Sequence, residues 1–400
     1  MEKKEKNRKV HFGIVGCGSI VELAHVRSFK DNADKAEVVA TCDVKEDWAK
    51  KVANELNAKA WYTDYQDLLK RDDIDAVLIA TPHNVHCEQV IASAEAGKHV
   101  YVEKPMACTN VEAWAMVKAC KKAKVQLLVG CNQRFWLQSE IARQLVDEGA
   151  IGEPKHGRTS LHEHWSMYQD RIAYTDYRRK LKEAGASIFD LGAHRVDLLR
   201  YLMGDKEAKR VVGICKRIAT PVEYSNADDI GIIIIEFTDN TYGSVSLNRI
   251  SRAVSNITEV YGTEGTIFVS SEAFNPFQSA PIAIFTEKYK KFEDLPDVIQ
   301  KYRYPQFYFM DDFITDVLPK RWVAIYPPWE WSYSRMMAHF IDCLWRGENP
   351  RVSGEEGAKA IEILLAIFKS METNQWIDLP LKEEVVPPGY KPYRPPAEYL

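Results

Sequence analysis

The stretch Gly13-Ile14-Val15-Gly16-Cys17-Gly18-Ser19-Ile20-Val21 decides the fold. The apolar run 10–15 feeds a tight glycine turn that opens a helical segment at Val21, the strand–turn–helix arrangement of dinucleotide-binding loops. In such a loop the backbone amides at the helix start, here around Gly16, Gly18, Ser19 and Ile20, can meet a pyrophosphate. The fingerprint places Gly or Ala where this chain has Val21, so the helix is expected slightly farther from the strand.

Working outward, β-type runs at 10–15, 37–41, 76–80, 99–102 and 126–130 alternate with helical stretches at 21–29, 46–56, 85–96 and 111–123. Thr109 or Asn110 can cap the last of these. This rhythm predicts a parallel, doubly wound α/β sheet. Asp43 ends the second run, 27 residues beyond Gly16, where an acid accepts the adenosine ribose hydroxyls. Its carboxylate would repel a 2′-phosphate and Val44 offers no arginine to hold one, so NAD is expected over NADP. Thr81-Pro82 with His86 follow the run 76–80, and Glu103-Lys104-Pro105 follow the run 99–102. Both sit at the carboxyl edge, where open α/β sheets bind ligands. There Lys104 can stay charged between a carboxylate and a substrate hydroxyl.

After residue 134 the pattern changes. A helix at 139–148 ends at Gly149, strand-like runs dominate from 155 to 285, and a helix at 188–203 interrupts them. Thr238-Asp239-Asn240-Thr241 joins strands 232–237 and 242–250 into a hairpin. Asp190 and His194 lie four apart and so share a helix face, where His194 suits general-base work near neutral pH. The segment 289–333 is dense in Tyr, Trp, Phe and Pro and is expected as an ordered loop over a site or interface. Helices are expected at 334–345 and 355–371. The expected organisation is a disordered leader (1–9), a nucleotide-binding domain (10–134), a substrate and oligomerisation domain (135–380), and a Pro/Tyr-rich tail (381–400). Five prolines and three tyrosines between 387 and 400 suit either a floppy tail or an extended arm lying on a neighbouring subunit, the tyrosines favouring the arm.

Composition narrows the class. The 53 basic and 57 acidic residues are interspersed, so no basic face points to nucleic acid. No apolar run reaches the roughly 20 residues needed to cross a bilayer, which predicts no membrane partner and a soluble, cytoplasmic protein. The eight cysteines are scattered and never form CxxC, so neither a disulfide framework nor a metal set is assigned. His162 and His164 share one face of a strand without obvious further ligands.

Taken together, Gly13 to Gly18, Asp43, Thr81-Pro82 with His86, Glu103-Lys104-Pro105, Asn132-Gln133-Arg134-Phe135 and Asp190-x-Gly192-x-His194-x-x-Asp197 resemble the Gfo/Idh/MocA family (glucose-fructose oxidoreductase, inositol dehydrogenase, rhizopine catabolism). The resemblance continues through Gly262-Thr263-Glu264-Gly265-Thr266 and Gly347-Glu348-Asn349-Pro350. It implies a Rossmann domain plus an α/β domain with a large, mostly antiparallel open sheet that commonly makes subunit contacts in homodimers or homotetramers. It also implies cofactor contacts from Thr81, Pro82, His86, Glu103, Lys104, Asn132 and Arg134, and catalytic roles for Lys104, Asp190 and His194. The chain departs from the family in Ala184-Gly185-Ala186-Ser187, where many members carry a glycine run. The implied activity is NAD-dependent oxidation of a secondary hydroxyl of a sugar or glycoside, to a 3-keto sugar for example. Inositol oxidation, a redox-assisted glycosidase reaction and a non-enzymatic sugar sensor are the alternatives. His164, Trp165, Tyr177 and Arg178 are the substrate-binding candidates, offering stacking faces and hydrogen-bond donors for a polyhydroxylated ring.

Overall fold

The computed structural model describes residues 8–164, 187–223, 225–270, 280–289, 291–302 and 322–400. Strand β1 (Val10–Val15) is apolar on both faces because it is buried on both, as a central parallel strand must be. It is flanked by β2 (Ala36–Cys42) and β4 (Ala76–Ile79) in a six-stranded parallel sheet that also holds β3 (Ala60–Tyr62), β5 (His99–Val102) and β6 (Leu127–Val129). The order β3-β2-β1-β4-β5-β6 reverses direction between β1 and β4, which opens a crevice at the carboxyl edge. Helices α1 (Val26–Asp31), α2 (Glu46–Leu56), α3 (Tyr65–Leu69), α4 (His86–Glu95) and α5 (Asn110–Ala123) connect the strands. Thr109 caps α5, and Glu112 completes a capping box.

The glycine loop differs from its expectation in one respect. Val21–His25 form a π-helical turn ahead of α1, so the expected single helix from Val21 opens with a wider turn. Val21 itself is fully buried in that turn. Gly16 has φ +89°, and a Cβ there would lie 2.7 Å from the backbone of Ala80 and Thr81. Glycine is required because two backbones meet at the point where the strand order reverses.

Helix α6 (Leu137–Asp147) leads into a nine-stranded sheet of order β14-β13-β12-β11-β7-β10-β9-β8-β15. Its strands are β7 (Pro154–His164), β8 (Ala208–Lys216), β9 (Ile230–Phe237), β10 (Tyr242–Asn248), β11 (Ile250–Gly262), β12 (Gly265–Val269), β13 (Ile282–Thr286), β14 (Val323–Ile325) and β15 (Ile377–Asp378). Its pairings are antiparallel except β7 with β10. The hairpin turn at 238–241 is as expected, with Asn240 at φ 62°. The second hairpin strand ends at Asn248, and Ile250 opens β11 instead.

Helices α7 (Ser187–Leu202) and α10 (Gly354–Thr373) cover one face of this sheet, while α8 (Asp297–Tyr302) and α9 (Ser332–Arg346) lie elsewhere along the chain. On the other face Ile214, Ile232, Ile234 and Tyr242 are exposed. Helix α10 also joins the two sheets: Gly357 leaves room for Met106 and Val129, and the Val129 amide donates to Val352 O.

The tail lies on its own chain, where the sequence suggested an arm across to a neighbour. Asn110 exchanges hydrogen bonds with Glu383 and Val385, the Tyr390 hydroxyl donates to Glu112 (2.9 Å), and the Tyr399 hydroxyl donates to Glu95 (2.9 Å). Its tyrosines therefore seat it on α4 and α5. At the other end Arg8 pairs with Asp75, so the fold begins inside the expected leader, whose residues 1–7 lie outside the described set. Among the described residues no helix is long and apolar enough to cross a membrane, and all eight cysteines are free and buried.

The backbone contact at Gly16 yields a prediction. Gly16→Ala should lose about 1–3 kcal/mol of stability from the positive φ alone, with weakened NAD binding; an unchanged urea midpoint and NAD affinity would contradict this reading of the loop.

Candidate active site

A cleft of about 1140 Å³ runs from the glycine loop, across the carboxyl edges of β4 and β5, to α7 and the sheet strands β7 and β11. That is at the upper end of, or just above, the roughly 300–1,000 Å³ usual for one small ligand. At one end lie Gly16, Gly18, Ser19, Ile20 and Asp43. Asp43 is fixed between two loops: its carboxylate accepts from the amides of Cys17 (2.8 Å) and Lys45 (2.8 Å). Trp48 lines the same end, with Lys45 Nζ 3.8 Å from its ring centroid. These features fit a dinucleotide: a backbone cradle that a Cβ at Gly16 would fill, amides at a helix start, and an immobilised acid beside them.

In the middle of the cleft the Thr81 hydroxyl donates to Gln89 (2.6 Å). His86 is buried, with one ring nitrogen on Thr81 O (2.9 Å) and the other on Pro105 O (3.1 Å), so it braces the loops after β4 and β5 against each other. Burial pushes its pKa down. Glu103 is gripped by His25 Nε2 (2.8 Å) and by the Lys104 amide (3.2 Å), and Gly130 gives its carboxylate room.

Lys104 then reaches out of the Rossmann edge to α7. Its Nζ donates to Asp190 Oδ1 (2.7 Å) and Asp190 O (3.2 Å), with both side chains buried. The other carboxylate oxygen of Asp190 is held by Arg249 Nη2, and Arg249 Nη1 holds Glu163 on β7. Charges therefore alternate Lys104–Asp190–Arg249–Glu163, which is how ions survive burial. His194, half-buried one turn after Asp190, lines the cleft beside this chain. The start of α7 is anchored by Asp228, which accepts the Ile188 amide (2.9 Å) and whose carboxyl burial pushes up to about 7.

Several expected residues stand elsewhere. Asn132 and Arg134 are not among the residues lining the cleft; Asn132 donates to Ser332 (3.0 Å), and Arg134 is committed to Asp197, Asp205 and Glu356. A guanidinium that is 1% exposed needs those acids to offset its desolvation, so its partners are structural. His164 is also displaced. Leu161 and Glu163 face the cleft, so strand alternation turns His162 to Ser246 (3.0 Å) and His164 towards Arg252. Trp165, Tyr177, Arg178 and Ala184-Gly185-Ala186 lie outside the described residues, as does 303–321 of the aromatic segment. Within the described part of that segment, Trp331 donates to Ala24 O (3.4 Å) and Tyr333 lines the cleft.

Sequence reasoning missed Arg249, Glu163, Gln133, Trp136, Arg195 and Asn256, all but Arg249 lining the cleft. A signal existed for Gln133, which lies inside the motif Asn132-Gln133-Arg134-Phe135 that carries the resemblance, and for Trp136, which follows it. Arg249 carried none, because its partners come from a distant helix, α7, and a distant strand, β7.

The family models agree with this geometry. The Gfo/Idh/MocA oxidoreductase model with an NAD-binding Rossmann fold matches residues 10–131, and the C-terminal domain model of the same family matches residues 140–268, together more than half of the chain. The chain belongs to this family of NAD-dependent oxidoreductases. It is 27% identical to a myo-inositol 2-dehydrogenase of Thermotoga maritima, over 94% of this chain and 100% of that one. It is 26% identical to a D-apiose dehydrogenase of Paraburkholderia graminis, over 94% and 91%. The crystal structure of a probable dehydrogenase from Thermotoga maritima superimposes with a TM-score of 0.70 at 25% identity, covering 92% of this chain and 99% of that one.

The ion chain generates a direct test. Arg249→Leu leaves Glu163 buried without its Arg249 cation and Asp190 with Lys104 alone, and should cost about 3–5 kcal/mol in urea unfolding; an unchanged midpoint would mean that Asp190 and Glu163 do not depend on Arg249.

Proposed function

We propose that this protein oxidises a secondary hydroxyl of a sugar or glycoside ring, reversibly, with Lys104, Asp190 and His194 as its catalytic set. The observation that carries the reading is the 2.7 Å contact of Lys104 with Asp190, made where the cofactor cleft meets His194. NAD, when bound, supplies a hydride acceptor. The cradle for it is made by Gly16, Gly18, Ser19, Ile20 and Asp43, with Thr81, Pro82 and Glu103 along the way and His86 holding the loops.

His194 takes the hydroxyl proton, and its half-buried position at the cleft gives it access to a substrate. Asp190 holds the Lys104 ammonium at the cleft, where it stabilises an oxygen that is becoming an alkoxide. Asp190 acts mainly as a positioning residue for that ammonium, held in turn by Arg249. The surrounding side chains Gln133, Trp136, Glu163 and Asn256 offer hydrogen bonds and a stacking face suited to a polyol. Two relatives are named for a cyclic polyol, myo-inositol, and for a sugar, D-apiose, which supports this substrate class. The exposed Ile214, Ile232, Ile234 and Tyr242 on the outer sheet face support a homodimer or homotetramer through that face. Eight buried, unpaired cysteines suit a reducing cytoplasm.

The test is a panel of sugars, glycosides and inositols with NAD, followed at 340 nm. His194→Ala should lower kcat by about 10²–10⁴-fold with little change in NADH affinity. NADH formation that is indifferent to this substitution would refute the assignment of the base.

A further inference from the structure

Four arginines are among the largest fully buried side chains: Arg134, Arg195, Arg200 and Arg249. Three have acids within ion-pair distance, Arg134 on Asp197, Arg200 on Glu356 and Arg249 on Asp190 and Glu163. Arg195 does not. It follows His194 on α7 and lines the same cleft, with its guanidinium carbon 5.6 Å from the centroid of the Trp136 ring. Among the described residues neither its Nε nor its Nη2 has a hydrogen-bond partner. The acid that acts on it electrostatically is Glu163, whose carboxylate is already tied to Arg249. His162 also feels its charge and, with burial, is pushed down, so it brings no anion. Desolvation lowers the Arg195 guanidinium to about 9, the mark of a cation without sufficient compensation.

A buried cation left in this state is costly, and a ligand that completes it removes the cost. The two unfilled N–H groups lie on the same edge of the planar guanidinium. That edge matches the two oxygens of a carboxylate, and the Trp136 ring beneath limits the fork's freedom to turn elsewhere. Gln133 lies in the same cleft, 6% exposed, and its Oε1 is a buried acceptor without a partner among the described residues. The cleft thus holds, among its described residues, an uncompensated guanidinium edge and an unpartnered amide acceptor, the complement of a hydroxylated acid.

We infer that Arg195 and Gln133 form a subsite for the carboxylate and a neighbouring hydroxyl of a sugar acid, so that the substrate is a uronic-acid-type polyol and Arg195 selects it over the neutral sugar. This rests on the oxidoreductase reading above and names the substrate class of that site.

The test compares matched pairs on the NAD-loaded protein: D-glucuronate against D-glucose, and D-galacturonate against D-galactose. Turnover is read at 340 nm, and binding is read separately by calorimetry on the NADH complex. Charge-assisted hydrogen bonds predict that the acid is favoured about tenfold or more in both readouts. Arg195→Gln should abolish the preference without changing NADH affinity, and Arg195→Lys should restore part of it. Should the Arg195 variants not fold, the wild-type acid-to-neutral ratio decides alone. Equal or inverted preference, with NADH still formed, overturns the subsite and leaves the oxidoreductase reading standing. Acid binding that depends on Arg195 without NADH formation supports the subsite and contradicts the oxidation. Failure of either acid to bind overturns the subsite.

Discussion

Two carboxylates, Asp190 and Glu163, are buried where two sheets meet, Asp190 between Lys104 and Arg249 and Glu163 against Arg249, and burying a carboxylate without such a partner is costly. The chain Lys104–Asp190–Arg249–Glu163 meets that demand, and it recruits each ion from a different element: the loop after β5, helix α7, the end of β10, and β7. Electrostatics therefore ties the nucleotide-binding sheet to the substrate sheet at the cleft. The same pairing that makes burial tolerable holds the Lys104 ammonium in place, so stability and the proposed catalysis draw on one set of contacts.

A second ion cluster lies beside the first. Arg134 gathers Asp197, Asp205 and Glu356, and Arg200 shares Glu356. The motif Asp190-x-Gly192-x-His194-x-x-Asp197 thus divides its labour within one helix. Its first acid faces Lys104 at the cleft, and its last acid faces Arg134 in the interior. Gly192 has a packing role between them, since a Cβ there would meet Leu364 at 2.6 Å. Residues that resemble a single functional signature prove to be part site and part scaffold.

What could be read in advance was local in the chain. The glycine loop, Asp43 and Lys104 were legible because strand, turn and helix are contiguous, and the carboxyl edge of a parallel sheet then fixes where their loops emerge. The contacts of Arg249 were not. It meets Glu163, 86 residues away, through the parallel pairing of β7 and β10 that sets Asn248 beside His162, and no local pattern encodes that pairing. His164 was misjudged for a related reason: two histidines on one strand face were visible, but which face meets the cleft depends on the packing of the whole sheet. The tail's tyrosines suggested an arm on a neighbouring subunit, yet two of their hydroxyls find Glu95 and Glu112 on their own chain.

The most direct test of the central claim is a crystal structure of the NADH complex. The account predicts the pyrophosphate on the amides around Gly16 to Ile20, the adenosine hydroxyls on Asp43, and the nicotinamide against a Lys104 still paired with Asp190. A nicotinamide bound away from Lys104 and His194, or a Lys104 that leaves Asp190 when the cofactor binds, would contradict it.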